Sequence, residues 1–456
     1  MAWRPEENRS ARAHPGGAAR EPRQASPAEA GRWARRLAGL ALGATLVATP
    51  LLFDPTSRDA FRLPKALFVE SAALLSLFLL AVGWSLRREE RESWVDWRRA
   101  PALRAIGPFV AVATLVSLAS PHGEHVWRSL AGLLIGALAI WGWSVGFGRA
   151  ELARWLDWLT PPALLLATVA ILQFHDLFQP FEFATLARGS RLAITSFAGN
   201  AGDLGAFLVL PALVAQRWLA ERGWRFWPAI TFAASFYGIA VSQTFAAALA
   251  LAVGSAILWW RLLPGRRRVL AAIAPVAVLL LALAVSTPFR QRALAKAQEL
   301  SRGDWNAVLT GRLDGWRAGI WMFSEHPVAG VGLGCYRAEF VPAKRQLLIR
   351  GVKFYPEQAN VMFANAHSEP IEVGAELGLL GLLALAWAVG GTVRRLKTFP
   401  AAEVSRSAAA DRGFARGALA AVAVLALVSF PFRIAIVSSQ ILVLLAWLYS
   451  EPEKSA

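Results

Sequence analysis

The sequence contains a single cysteine, Cys335, among 456 residues. One cysteine permits no intramolecular disulfide and excludes a metal site built on several thiolates. The chain also lacks a Gly-x-x-x-x-Gly-Lys phosphate loop, an Asp-rich metal motif and a Gly-x-Ser-x-Gly nucleophile elbow. ATP hydrolysis and serine hydrolase chemistry are therefore not expected, and we expect neither a cofactor nor a bound metal.

Charged residues are scarce, at 17% of the chain, whereas hydrophobic residues make up 56%. Apolar runs long enough to cross about 30 Å of hydrocarbon recur along almost the whole sequence. These runs are continuous and do not alternate with polar residues, which favours helices over the strands of a membrane barrel. The sequence therefore predicts an all-α, polytopic transmembrane helical bundle.

The runs define about twelve candidate spans with an even number of crossings. They cover residues 37–53, 66–86, 102–119, 128–147, 156–175, 203–220, 226–241, 245–262, 269–287, 370–392, 413–430 and 433–450. Most basic clusters fall on even-numbered connections, on the same side as the basic N-terminal arm, so that side is predicted to be cytoplasmic. The outer connection 54–65 departs from this pattern, because it carries Arg58, Arg62 and Lys65.

The spacing of the spans also predicts how the chain is divided. The predicted parts are a disordered basic cytoplasmic arm (1–35), nine transmembrane helices (36–287) with an outer loop at 177–202, a large periplasmic loop module (288–369), three transmembrane helices (370–450) and a cytoplasmic tail (451–456). Long ordered loops are usually functional. We therefore expect the functional site in the two long outer segments.

The net charge of +17 would suggest nucleic acid binding in a soluble protein. In this chain the basic residues lie in short clusters between apolar runs, where topology and anionic lipid explain them better. We therefore expect the lipid bilayer, and no nucleic acid, as a partner.

His367 is the strongest candidate for chemistry. It lies in Asn365-Ala-His367-Ser368-Glu369-Pro370, where Ser, Glu and Pro are typical of a helix start. An imidazole beside the positive end of a helix suits a general base or a phosphate ligand, and the alternative is a polar cap at the membrane interface. Glu372 and Glu376 follow one turn apart, where they are predicted to orient His367, pair with an arginine or anchor helices.

Arginines in the outer segments are candidates for binding an anion, because a guanidinium donates two parallel hydrogen bonds to a phosphate. The alternative interpretation is that they are solvated charges or reach towards lipid head groups. Arg312 and Trp316 are four residues apart and would share one face of a helix. The remaining candidates are Arg188, Arg191, Arg317 and Arg337.

The chain resembles the O-antigen ligase family, together with its O-antigen polymerase relatives, over residues 185–390. Three motifs carry the resemblance: His367, Ser368, Ile371, Gly378 and Gly381; Arg312, Trp316, Pro327, Gly330 and Gly332; and Arg191 ahead of Asn200. Two segments depart from the family pattern. Asn200-Ala-Gly replaces an Asn-Pro-Asn turn, and Gln243-Thr244-Phe245-Ala246 replaces a Ser-Arg-Gly segment.

The resemblance implies a metal-independent glycosyltransferase of the GT-C type in the bacterial inner membrane, with its active site on the periplasmic side. The implied donor is a glycan on undecaprenyl pyrophosphate, and the implied acceptor of a ligase is a lipid A core. Arg191 and Arg312 would hold the pyrophosphate, and His367 would activate the acceptor hydroxyl or contact the pyrophosphate. The further substrate-binding candidates are Arg188, Trp316, Arg317, Arg337 and Glu372.

Two enzymatic alternatives share this site, namely an O-antigen or polysaccharide polymerase and a protein O-oligosaccharyltransferase. A lipid-linked sugar transporter is a third interpretation. It predicts polar groups at the bilayer midplane and often internal repeats, whereas the ionisable residues of this chain cluster at one predicted interface and no repeat is evident. A purely structural membrane protein would leave the His367 and Arg312 motifs unexplained.

Overall fold

The computed structural model describes residues 26–57, 59–86, 100–181, 193–355, 362–399 and 405–451, and this part of the chain is helical without any strand. Its α-helices are α1 (Pro27–Val47), α2 (Arg62–Ser85), α3 (Pro101–Leu118), α4 (Gly123–Gly146), α5 (Arg149–Asp157), α6 (Thr160–Phe174), α7 (Ala201–Arg222), α8 (Phe226–Val241), α9 (Phe245–Leu262), α10 (Arg268–Val285), α11 (Thr287–Ser301), α12 (Trp305–Val308), α13 (Arg312–Glu325), α14 (Tyr336–Ile349), α15 (Glu369–Thr398), α16 (Arg406–Val428) and α17 (Ala435–Tyr449). The predicted all-α fold is confirmed for these residues.

Helix α1 begins earlier than the sequence analysis predicts, because residues 27–35 of the predicted disordered arm are helical. Ser26 and Glu29 form a capping box: the Ser26 hydroxyl accepts from Glu29 N at 3.2 Å, and Ser26 N donates to the Glu29 carboxylate at 3.0 Å. These bonds satisfy two backbone donors that a helix start leaves free.

Every one of the twelve predicted spans falls on a helix. Among the described residues, six stretches are long and apolar enough to cross a membrane, and there are seven if Val276–Val285 and Thr287–Ser301, bent by 115°, form one span. The six are Arg62–Ser85, Pro101–Leu118, Gly123–Gly146, Arg149–Phe174, Ala201–Arg222 and Glu369–Thr398. A membrane protein with several crossings is therefore supported, and the number twelve stays a prediction.

Neighbouring helices pack closely through small residues and polar side chains. The Ser76 hydroxyl of α2 donates to the Ala38 carbonyl of α1 at 2.8 Å. A side chain at Gly254 of α9 would place its Cβ only 2.9 Å from the Gly417 carbonyl of α16. Small residues let helix backbones approach each other in this way, which is how membrane helices commonly associate.

One end of the bundle, which we call the Arg217 end, is held together by ion pairs. Arg217 contacts Asp157 at 3.1 Å and Asp411 at 2.6 Å, so that it joins α5, α7 and α16. Arg149 and Arg395 donate to the Ser450 carbonyl at 2.6 and 2.8 Å. Two cations therefore satisfy the carboxyl end of α17, where the helix dipole favours positive charge.

At the opposite end, which we call the His367 end, helices α13 and α14 fold over the bundle around a second apolar core. This core contains Ala318, Met322, Tyr336, Phe340, Ala343, Leu347, Phe363, Ala366 and Ala375. The Tyr336 hydroxyl crosses the core and donates to the Gly315 carbonyl at 2.7 Å. The core ties residues 312–366 to the start of α15, while the predicted boundaries of the loop module stay a prediction.

Helix α15 is interrupted at Gly378, whose φ of 63° and ψ of −157° are not helical. The interruption frees backbone groups, and the glycine-rich turn after α13 satisfies them. Val331 N donates to Ala375 O at 3.0 Å, Gly332 N to Glu376 O at 2.8 Å, Leu379 N to Pro327 O at 2.8 Å and Leu380 N to Val328 O at 3.2 Å. Two glycine-bearing segments singled out from the sequence thus bind each other.

Candidate active site

His367 lies one residue before the N-cap of α15, with its ring between two phenylalanines. The ring centroids are 5.5 Å from Phe363 and 4.8 Å from Phe430, both in edge-to-face geometry. Its Nδ1 is buried without a hydrogen-bond partner. Burial, and then the positive charges of Arg312 and Arg62, lower the pKa of His367 from 6.5 to about 3. The imidazole is therefore neutral near pH 7.

The backbone ahead of His367 is held by Glu372. This carboxylate accepts from the Asn365 side chain at 3.0 Å and from Ala366 N at 2.9 Å, and it pairs with Arg433 at 2.7 Å. Its side chain is 1% exposed. Glu372 was a candidate substrate ligand, but its oxygens are occupied by protein groups, so we interpret it as a positioning residue for His367.

Glu376 joins the same arrangement one turn further along α15. It pairs with Arg433 at 2.8 Å and accepts from Tyr336 N at 3.2 Å. Arg433 therefore connects the 3₁₀ turn before α17 to α15, and through Glu376 to α14. Three carboxylates, those of Glu376, Glu372 and Glu369, surround Arg433 and favour its charged form.

Arg312 and Trp316 lie one turn apart at the start of α13, as predicted from their spacing. The Arg312 Nε and Trp316 Nε1 donors are both buried without a partner. Arg312 makes only a long 3.5 Å contact from Nη1 to the Leu309 carbonyl. Buried donors without acceptors are costly. These two groups are therefore suited to a ligand that carries acceptor oxygens.

Arg62 is a member of the site that the sequence analysis did not assign. Its guanidinium binds the Asp203 carboxylate through Nε at 3.0 Å and Nη2 at 3.2 Å. It lies 5.7 Å from the centroid of Phe430, the ring that also contacts His367. The side chain is 47% exposed, whereas Asp203 is 5% exposed. Arg62 thus has a fixed orientation and remains accessible.

Asp203 is itself positioned by the start of α7. The Asn200 side chain accepts from Asp203 N at 2.8 Å and caps the helix. Lys65 lies near the same carboxylate, is buried, and donates to the Leu52 carbonyl. The sequence signal for Arg62 and Lys65 was their position in the outer connection 54–65, where basic residues contradict the positive-inside pattern.

Two further basic residues, Arg292 and Lys296, lie near Arg312. Arg292 of α11 donates to the Gln243 carbonyl at 2.9 Å, and Lys296 donates to the Ala307 carbonyl. Burial, and then the charge of Arg292, lower the pKa of Arg312, and among the described residues no carboxylate pairs with Arg312. The site therefore favours an anion with several charges.

The remaining predicted residues lie in different places. Arg317 donates to the Lys353 carbonyl at 3.1 Å, and Arg337 is exposed on α14. Arg188 and Arg191 lie outside the described residues. His122, at the start of α4, binds the Glu339 carboxylate at 2.6 Å. Within the described ranges, no group of three or more His, Cys, Asp or Glu side chains could hold a metal ion.

Comparison with known families supports one assignment. Residues 230–386 match the family model described as O-antigen ligase, which covers about a third of the chain and includes Arg312, Trp316 and His367. No curated protein matches the chain. The match supports the assignment to the O-antigen ligase family that the motifs indicate. Arg62, Asp203, Phe430 and Arg433 lie outside the matched segment.

Proposed function

We propose that this protein, a membrane enzyme of the O-antigen ligase or polymerase type by its match over residues 230–386, transfers a glycan from undecaprenyl pyrophosphate to a lipid A core. The transfer takes place at the periplasmic face of the bacterial inner membrane, which corresponds to the His367 end. The reaction uses no metal and no cofactor.

A single observation carries this proposal. Arg312 Nε, Trp316 Nε1 and His367 Nδ1 are buried polar atoms without partners at one end of an apolar helical bundle. Two of these atoms are donors, and the pyrophosphate of a lipid-linked glycan carries the acceptor oxygens that they lack. The negative charge of a diphosphate also complements the arginine and lysine side chains near Arg312 and His367.

The chemistry follows from these groups. The acceptor hydroxyl attacks the anomeric carbon, a new carbon–oxygen bond forms, and the bond to the pyrophosphate breaks with its electron pair on the leaving oxygen. Arg312 and Arg62 stabilise the negative charge that develops on that oxygen. His367 is neutral near pH 7 and accepts the hydroxyl proton.

The distribution of charge supports the proposed sidedness. Helix α15 runs from Glu369 at the His367 end to a basic last turn with Arg395 and Lys397 at the Arg217 end. Basic connections are typical of the cytoplasmic side. The His367 end is then extracytoplasmic, where a lipid-linked glycan and a lipid A core are both accessible.

Reconstitution tests the proposal directly. The purified protein in lipid nanodiscs is given an undecaprenyl-pyrophosphate glycan with a lipid A core, a second lipid-linked repeat or a peptide. We expect the lipid A core to gain the glycan. Arg312→Ala should abolish transfer, whereas Arg302→Ala, a change at a side chain that is 69% exposed just after α11, should retain it.

The two enzymatic alternatives give different outcomes in the same assay. Elongation of the second lipid-linked repeat alone would identify a polymerase, and a glycosylated peptide would identify a protein O-oligosaccharyltransferase. Transfer to none of the three acceptors by a folded protein would refute the proposed function.

A further inference from the structure

An imidazole that serves as a base is usually held by a carboxylate, which orients the ring and stabilises its protonated form. His367 has no such partner among the described residues. The charged groups that act on it are Arg312 from α13 and Arg62 from the start of α2. Its other neighbours are the apolar rings of Phe363 and Phe430.

The nearby carboxylates are directed elsewhere. Asp203 is bound by both Nε and Nη2 of Arg62. Glu372 and Glu376 pair with Arg433, and Glu369 accepts from Phe432 N at 3.2 Å. Of the charged side chains that the structure describes, Arg312 and Arg62 therefore act on His367, and both oppose a proton on the ring.

We infer that the diphosphate of the donor is the anionic partner that His367 lacks, so that His367 becomes an effective base only after the donor has bound. This inference rests on the proposed function. The geometry that carries it is that His367 Nδ1 and Arg312 Nε are both buried without a partner, and that the Phe430 ring contacts both His367 and Arg62.

The direction of the effect follows from charge. In the free protein, burial and then the charges of Arg312 and Arg62 keep the pKa of His367 near 3, and the imidazole is a weak base. A bound diphosphate places opposite charge beside Arg312 and Arg62, and an opposite charge within about 4–6 Å typically shifts a pKa by roughly 1–3 units. The pKa of His367 rises towards the working pH, where general base catalysis is most effective.

The same arrangement would reset the site after each turnover. The proton moves from the acceptor hydroxyl to His367 while the glycosidic bond forms and the bond to the diphosphate breaks. When the undecaprenyl pyrophosphate leaves, the uncompensated arginines again disfavour the imidazolium, and the proton passes to water. The donor must therefore bind before the acceptor is activated, and an acceptor bound alone stays unreactive.

The test measures the protonation of His367 itself and not turnover. Protein with ¹⁵N-labelled histidine in nanodiscs is titrated from pH 8 to pH 5, with and without inorganic pyrophosphate, and the His367 signal is identified by its loss in His367→Asn. We expect neutral imidazole throughout the titration of the free protein. With saturating pyrophosphate we expect a midpoint within this range, which from a pKa of about 3 corresponds to a proton affinity at least a hundredfold higher.

Variants separate the contributions of the two arginines. Arg312→Met should raise the His367 midpoint of the free protein and weaken the response to pyrophosphate, and Arg62→Met provides a second, independent measurement. Arg302→Met, which changes an exposed side chain just after α11, should behave as the unchanged protein. Because each readout is a titration, a loss of activity in a variant does not obscure the result.

The outcomes separate a failure of the inference about His367 from a failure of the proposed function. If calorimetry shows that pyrophosphate binds but the His367 midpoint does not move, the inference is wrong while the proposed function stands. A His367 midpoint near 6.5 in the free protein would also overturn it. If pyrophosphate does not bind at all, the diphosphate site of the proposed function fails and the inference fails with it.

Discussion

His367 has a left-handed backbone conformation, with a φ of 56°. Most side chains disfavour this region, and Asn, Asp and His are several-fold enriched among the non-glycine residues that adopt it. An alanine at this position would therefore strain the backbone as well as remove the imidazole. Asparagine tolerates the conformation, which makes it the better probe of the chemistry.

For His367→Asn we expect a folded, membrane-inserted protein whose transfer rate falls by roughly 10²–10⁴-fold, the usual contribution of a positioned base. Single-turnover assays with a lipid-linked donor measure the rate, and thermal unfolding measures the fold. The matched control is His326→Asn, which changes an exposed histidine near the end of α13. Full transfer activity in His367→Asn would contradict the assignment of the base.

Arg62 is expected to contribute mainly to donor binding. In Arg62→Met, the loss of a charge-assisted interaction worth about 1.5–3 kcal/mol should weaken donor affinity by roughly one to two orders of magnitude. Asp203 would then be left buried without its partner, so the variant should also be less stable. Asp203→Asn in the same chain should restore stability without restoring affinity, as measured by donor titration and thermal unfolding.

The sequence predicted some of these residues and not others, for a physical reason. His367, Arg312 and Trp316 lie in local motifs whose spacing is visible in the chain. The contact of Arg62 with Asp203 joins residues 141 positions apart, and helix packing alone determines it. Arg62 was noticed as a basic residue on the outer side, but its partner and its proximity to His367 could not be derived.

At the scale of the element, the interruption of α15 differs from the continuous helix that residues 370–392 predict. A glycine in an apolar run is compatible with a helix, so hydropathy does not reveal a break. The break is possible because the turn around Gly330 and Gly332 provides the hydrogen bonds that the helix loses at Gly378. Irregular backbone at membrane depth requires such protein partners.

Gly378→Ala should destabilise the protein by more than about 2 kcal/mol. A positive φ disfavours any side chain by about 1–2 kcal/mol, and a Cβ at Gly378 would also lie 2.6 Å from Ala329 N. The matched control is Gly390→Ala in the same helix, where nothing lies within 4 Å. That variant should be neutral or slightly more stable, and equal thermal stabilities of the two variants would contradict this account.

At the scale of the whole molecule, the composition predicted a helical membrane protein, and each predicted span coincides with a helix. The helices that fail the length and composition criteria are the shorter or more charged ones, such as Phe226–Val241 and Ala435–Tyr449. Hydropathy does not decide whether a short helix crosses the whole bilayer. Packing against neighbouring helices and local thinning of the bilayer can accommodate a helix that is shorter than the hydrocarbon thickness.

Labelling with a membrane-impermeant thiol reagent would show on which side of the inner membrane each end of the helical bundle lies. Cys335 is 0% exposed, so Cys335→Ala gives an unreactive background with little surface change. Ser324→Cys on α13 should be labelled in intact cells with a permeable outer membrane. Trp224→Cys, at an 84% exposed position between α7 and α8, should be labelled only after the inner membrane is opened. Labelling of both from the same side would refute the proposed orientation.

Phe430 contacts both His367 and Arg62, although it belongs to neither the matched segment nor the first helices. The site is thus assembled from three distant stretches of chain: one near residue 62, one spanning 312–367 and one near residue 430. A truncated protein limited to residues 230–386 would keep Arg312 and His367 but would lose the wall of the imidazole and one of its two cations. If the proposed mechanism holds, the site is therefore complete only after the chain has been synthesised and inserted as far as the turn that follows α16, which carries Phe430.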